Sequence, residues 1–147
     1  MEIIRIDTHS KWYPKELKLR DDVLRKPIGL SIENDDLGDE PNQIHFVAID
    51  GEGLIGVVIL KIEGEIGKLR QMAVAEAAQG KGIGALLVEA LEQYARQQGL
   101  KKIKMHARHY AVGFYEKLGY IKTSKPPFEE VGMEHFEMVK TFNRELL

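Results

Sequence analysis

The chain has 147 residues, 44% of them hydrophobic, enough for one domain spanning residues 1–147 to bury a core without disulfides or structural metals. Its 21 Lys and Arg against 23 Asp and Glu leave a net charge of -2, which supplies no general attraction for nucleic acid or an anionic membrane. The absence of cysteine excludes disulfides, thiolate metal sites and a cysteine nucleophile, and no apolar run approaches the roughly 20 residues of a membrane span. With no signal-peptide pattern in "MEIIRIDTHS", a soluble cytoplasmic protein is expected.

In chain order, "EIIRID" at 2–7 reads as a strand. Trp12 to Arg25 reads as a helix with Pro14 in its first turn and Pro27 beyond its end. "ENDDLGDEPNQ" at 33–43 breaks regularity through its Asp, Asn, Gly and Pro. "IHFVAID" at 44–50 and "LIGVVILKIE" at 54–63, joined by "GEG", predict a hairpin, and "EIGKLRQMAV" at 65–74 adds a third strand to an antiparallel meander.

The period then changes. Ile83, Leu86, Leu87, Ala90, Leu91, Tyr94 and Ala95 mark one face of a helix, Glu89, Glu92, Gln93, Arg96 and Gln97 the other, and Gly99 supplies its C-terminal cap. "LKKIKMHA" at 100–107 is a strand, "HYAVGFYEKLG" at 109–119 a short helix, and "YIKTS" and "HFEMVK" two weaker strands. A strand–helix–strand unit inside a mostly antiparallel sheet of about seven strands defines an α+β, or mixed α/β, fold.

Glycines at 80, 82 and 84 stand where this helix begins. A helix start offers amide hydrogens without intrahelical partners together with the positive end of the helix dipole, so phosphate is the natural ligand, with Lys81 adding charge at the rim. An ATP-type P-loop is excluded because Lys81 is followed by Gly82 rather than Ser or Thr. Gly80, Gly82 and Ala85 match the dinucleotide pattern G-x-G-x-x-A, but Ala75 to Gln79 separate the first glycine from the strand, which weakens a nicotinamide reading.

The run "LRQMAVAEAAQGKGIGALLVEALEQYARQQG" at 69–99 resembles the acetyl-coenzyme A binding core of the GNAT superfamily of N-acetyltransferases. Gln79, Gly82 and Gly84 fill its Q/R-x-x-G-x-G/A signature, and "AVGFYEKLGY" at 111–120 resembles the family's helix carrying a Tyr beside the coenzyme sulfur. The resemblance implies acetyl-coenzyme A as co-substrate and an unidentified primary amine as acceptor. It further implies that the amides of Gly80, Lys81, Gly82, Ile83, Gly84 and Ala85 take the pyrophosphate. The Met72, Ala73 and Val74 backbone would pair with the pantetheine arm, and the Val74 amide would polarise the thioester carbonyl. Tyr115 would be the general acid toward the departing thiolate, with Tyr110 and Tyr120 as neighbours of the same type. Ala111, Val112, Tyr115 and Leu118 also form an apolar stripe, so core packing is the competing role for Tyr115.

A base for the amine is less defined. Lys68 falls near the place where some relatives carry a Glu, and His45, His106, His109, Glu130 and His135 are alternatives. His106 and His109 lie three apart without an evident third ligand, so no metal is expected. The segments 18–36 and 126–138 are expected to frame the acceptor cleft, with Arg20, Arg25, Glu129 and Glu130 available to orient a charged acceptor. A coenzyme A binding module without catalysis is the non-enzymatic alternative, and the sequence leaves a homodimer open.

Overall fold

The computed structural model describes residues 1–142. Its strands are β1 (Glu2–Ile6), β2 (Ile44–Asp50), β3 (Gly53–Glu63), β4 (Ile66–Val74), β5 (Lys102–Arg108), β6 (Ile121–Lys122), β7 (Phe128–Glu130) and β8 (Met133–Thr141), and its α-helices are α1 (Tyr13–Arg20), α2 (Ile83–Gln97) and α3 (Val112–Lys117). One sheet takes them in the order β1-β2-β3-β4-β5-β8-β6, with β7 also on β8. All pairings are antiparallel except β4 with β5. The mixed sheet agrees with the expected fold class, with eight strands rather than seven. The additional strand, β7, is three residues long and turns into β8 through Val131 and Gly132, both at positive φ, 45° and 78°. Two positive φ values suit a tight hairpin, but a β-branched valine gives no such turn signal in sequence.

Both faces of the sheet are covered. On the α2 side, Val58, Leu60 and Leu69 pack with Leu87, Leu91 and Ile103. On the α1 side, Val57, Ile59 and Ala73 pack with Leu19 and Leu24. The unbroken apolar run of β3 is therefore what a strand buried on both faces requires. Helix α2 buries the predicted stripe, with two departures: Leu86 is exposed, and Glu92 lies inside, accepting from Tyr120 Oη at 2.8 Å and Lys140 Nζ at 2.8 Å. Gly99 caps the helix at φ 77°, the conformation its position called for.

Helix α1 buries charge. Its interior residues are Glu16, Leu19 and Arg20, and the chain continues to Arg25 as one π-helical turn. Arg20 donates to Glu16 at 2.9 Å, to both oxygens of Glu40 at 2.8 and 2.6 Å, and to Gln71 Oε1 on β4 at 2.7 Å. His45 Nδ1 lies 2.9 Å from Glu16 Oε1, and Tyr13 donates to Glu40 at 2.6 Å. Isolated buried charges would be prohibitively costly; here two carboxylates surround one guanidinium and one imidazole, and no buried side-chain polar atom among the described residues lacks a partner. Burial alone would raise the Glu40 pKa, but hydrogen bonds from Arg20, then Tyr13, outweigh it and hold the carboxyl at about 2. Burial likewise works against His45, yet the Glu16 hydrogen bond raises its pKa. Glu16, Glu40 and His45 converge like metal ligands, but Arg20 already supplies their cation.

Candidate active site

The site arises from a break in sheet register. Ile59 pairs with Gln71 but Leu60 with Leu69, so Arg70 is an inserted residue on β4. An extra residue inverts the side-chain alternation. Accordingly Leu69 faces the α2 core while Ala73, an even number of positions later, faces the α1 core. Pairing of β4 to β5 stops at Leu69–Met105, just before the bulge. From Arg70 to Val74 the β5-facing edge of β4 has no strand partner among the described residues, and a cavity of about 710 Å³ opens there.

At its upper end the cavity meets α2. Gly80 and Gly82 adopt φ 79° and 80°, and Gly82 is the residue before the first turn, with no side-chain cap. The first intrahelical bond at this end is Leu86 N–H to Gly82 at 3.2 Å, so the amides from Gly80 to Ala85 make no hydrogen bond to a described residue. Gln79 ties the loop to the strand by donating from Nε2 to the Val74 carbonyl at 3.0 Å. The three glycines differ in purpose. A Cβ at Gly80 or Gly82 would meet open space, so those positions need glycine for backbone conformation. At Gly84 it would lie 3.2 Å from Phe114 Cζ, so any side chain there would crowd the ring on α3. Of the run expected to hold the co-substrate, Met72, Ala73, Val74, Gln79, Gly80, Gly82, Ile83, Gly84 and Ala85 line the cavity, while Lys81 is exposed at its rim. Phe114, absent from the sequence-based set, closes one wall; the small residue at 84 was its one sequence trace.

Tyr115 also lines the cavity and is only 6% exposed. Among the described residues its hydroxyl has one partner, the thioether sulfur of Met72 at 4.0 Å, which is a weak acceptor. Burial pushes the phenol pKa upward, so the group carries its proton at neutral pH. Tyr120 is instead committed to Glu92, and Tyr110, 63% exposed, accepts from Arg108 at 3.1 Å.

The opposite wall is made of side chains from distant segments. His106, the first β5 residue beyond the last β4 pair, has Nδ1 2.8 Å from Glu130 Oε1. His135 Nε2 lies 3.8 Å from the other Glu130 oxygen, and its Nδ1 is 2.9 Å from the Met133 carbonyl. Arg25 reaches the cavity but is engaged by Asp35 at 3.0 Å. The sequence expectation for Arg20 fails: fully buried among Glu16, Glu40 and Gln71, it cannot touch an acceptor. Glu129 projects from β7 opposite Glu134, exposed and outside the cavity lining. His109 stands exposed on the short turn before α3, and His45 belongs to the buried ion network.

A sheet split beside an uncapped helix start leaves backbone groups on one surface that an extended, anionic molecule could engage, and comparison with known proteins gives the family. The family model for the acetyltransferase (GNAT) domain matches residues 30–142. A Bacillus subtilis protein named as an acetyltransferase is 34% identical over 96 residues, 65% of each chain. YjcF of the same organism, named as an uncharacterized N-acetyltransferase, is 31% identical over 83% of this chain and 87% of its own. Among solved structures, the PaiA N-acetyltransferase of Thermoplasma acidophilum in complex with coenzyme A superposes with a TM-score of 0.75 at 16% identity, covering 97% of this chain and 100% of that one. The chain belongs to the GNAT family and is an acyltransferase.

Proposed function

We propose that the protein transfers an acetyl group from acetyl-coenzyme A to a primary amine by direct attack, with Tyr115 as general acid. The observation that carries this reading is the meeting, at the Gln79–Val74 hydrogen bond, of two sets of unpaired backbone groups: the amides from Gly80 to Ala85 and the open edge of β4. Amides at a helix start favour a diphosphate. An unpaired strand edge favours a pantetheine arm, whose amides can add to it as another strand would. One end of this surface fixes charge and the other fixes the direction of the chain toward the thioester. That the superposed PaiA structure contains coenzyme A supports the same donor.

Attack by the amine lone pair on the thioester carbon moves electrons onto the carbonyl oxygen. The Val74 amide, at the strand end, is assigned to stabilise that charge, because a fixed dipole there needs little reorganisation during the reaction. When the carbon–sulfur bond breaks, the thiolate takes the Tyr115 proton. A phenol held by nothing stronger than a thioether is free to turn toward that sulfur. The experiment is a thiol-release assay with acetyl-coenzyme A and a panel of primary amines, run on wild type and Tyr115→Phe. An amine that releases coenzyme A with wild type and much less with the variant, at unchanged acetyl-coenzyme A affinity, supports the reading; equal turnover removes the acid role.

A further inference from the structure

We propose that His106, oriented by Glu130, is the general base that deprotonates the incoming amine, an inference that rests on the acetyl-transfer reading above. Tyr115 accounts for the leaving group but leaves the acceptor's proton unassigned, and an alkyl amine reaches neutral water as an ammonium ion with no lone pair to attack. A base must therefore stand in the cleft. Strand β4 does not offer one: its polar side chains lining the cavity are Lys68, Arg70 and Gln71, and the guanidinium of Arg70 is itself held by Gln43 at 2.6 Å and Glu40 at 3.3 Å.

His106 meets the geometric requirements. It lies where β5 leaves β4, so it shares the cavity with Met72, Val74 and Tyr115. An ionised carboxylate can only accept, so the 2.8 Å contact with Glu130 places the ring proton on Nδ1. Nε2 makes no hydrogen bond to a described residue and keeps its lone pair. The ring is fixed by Phe128, edge-on with centroids 4.8 Å apart, and Phe128 in turn stacks on His135 at 6.0 Å. The β7–β8 hairpin thus supplies the orienting carboxylate and the wall that fixes the imidazole.

Charged neighbours reach His106 from each adjoining strand. Glu137 is its cross-strand partner on β8, and Lys104 and Arg108 share its face of β5. From β4 the same cavity receives Lys68 and Arg70, while the hairpin contributes Glu130 and His135. The proton balance is complete without a further reagent. His106 Nε2 takes the ammonium proton and releases it to solvent after turnover. The second nitrogen proton, lost as the carbon–sulfur bond breaks, replaces through solvent the one Tyr115 gives to sulfur. Amide and free thiol leave with one proton released.

The test separates this inference from the reading beneath it. Nitrogen-detected NMR of the His106 ring in acetyl-coenzyme A-saturated protein is expected to find Nδ1 protonated and Nε2 bare, and Glu130→Gln to perturb that tautomer. A proton on Nε2 in wild type overturns the proposal whatever the activity. Turnover is then compared for ethylamine and for 2,2,2-trifluoroethylamine, which is largely unprotonated at neutral pH. His106→Gln is expected to bind acetyl-coenzyme A as wild type does, to lose about 100-fold or more in kcat/KM with ethylamine, and to lose less than about 10-fold with the fluorinated amine. The acidic limb of the ethylamine pH profile should move in Glu130→Gln. Equal losses with both amines, no loss, or lost acetyl-coenzyme A affinity in His106→Gln overturns the assignment. Absence of acetyl-coenzyme A binding in wild type would instead remove the reading on which it stands.

Discussion

The two walls of the cleft are built on different principles. The wall proposed for the donor is mostly backbone: amides from Gly80 to Ala85 that bond to no described residue and the free edge of β4, close in sequence and joined by Gln79. The wall proposed for the acceptor is side chains from β5, the β7–β8 hairpin and the turns after α1, with His106 and Glu130 24 positions apart. Backbone recognition asks only that glycines permit a conformation, whereas side-chain recognition asks that separate segments arrive together. A third region, the ion network around Arg20, supports the split from below by holding α1 to Gln71 beside the bulge.

The most damaging change to this comparison is at the point where both walls serve one reaction. Tyr115→Phe is expected to lower kcat by about 100-fold or more with acetyl-coenzyme A affinity retained, measured by steady-state kinetics beside calorimetry. Comparable in energy but opposite in kind, Arg20→Met should remove about 3 kcal/mol of stability in denaturant unfolding, since it takes away the guanidinium bonded to both buried carboxylates and leaves Glu16 with His45 and Glu40 with the longer 3.3 Å contact to Arg70. Its effect on turnover should follow the fraction folded, which would mark the network as support rather than chemistry.

The same network sets a pH dependence. Glu40 ionises at about 2 in the fold against an ordinary value of 4.5, so its stabilisation is complete above 4.5 and is lost as pH falls toward 2, on the order of 3 kcal/mol. His45 is shifted upward, so its contribution is complete below its ordinary value of 6.5 and is lost as pH rises through the folded value. Thermal unfolding across pH should therefore place the network's greatest contribution between about 4.5 and 6.5, with Glu40→Gln flattening the acid side.

Smaller effects sharpen the contrast between the walls. Gly82→Ala has room for its Cβ but not the preferred φ, so it is expected to weaken acetyl-coenzyme A binding about 10-fold at a stability cost of about 1 kcal/mol. On the acceptor side, Val131 at φ 45° is strained for a β-branched residue. Val131→Asn is expected to add up to about 1 kcal/mol of stability and to change the KM for amine while leaving that for acetyl-coenzyme A unchanged.

What sequence conveyed about this molecule follows the same division. The meander, α2, its cap at Gly99 and the glycine entry were legible because each is a local pattern of period or backbone freedom. The buried face of α1 was not: Glu16 and Arg20 look like solvent-facing residues until Glu40, His45 and Gln71 converge on them. Arg20 therefore read as a ligand-orienting group when it is a structural one. β7 was hidden for a related reason, since Pro126 and Pro127 precede it and its turn is Val-Gly, so the pairing that brings Glu130 to His106 has no local signature. Glu92 likewise read as solvent-facing, because its partners Tyr120 and Lys140 lie 28 and 48 positions away.

In the proposed function, the amides at the start of α2 and the open edge of β4 together hold acetyl-coenzyme A. Calorimetric titration of acetyl-coenzyme A into the folded wild-type protein, with Gly82→Ala alongside, tests it most directly. Saturable one-site binding is expected in wild type and clearly weaker binding in the variant. No heat of binding at millimolar acetyl-coenzyme A, or identical affinity in the two proteins, would contradict it.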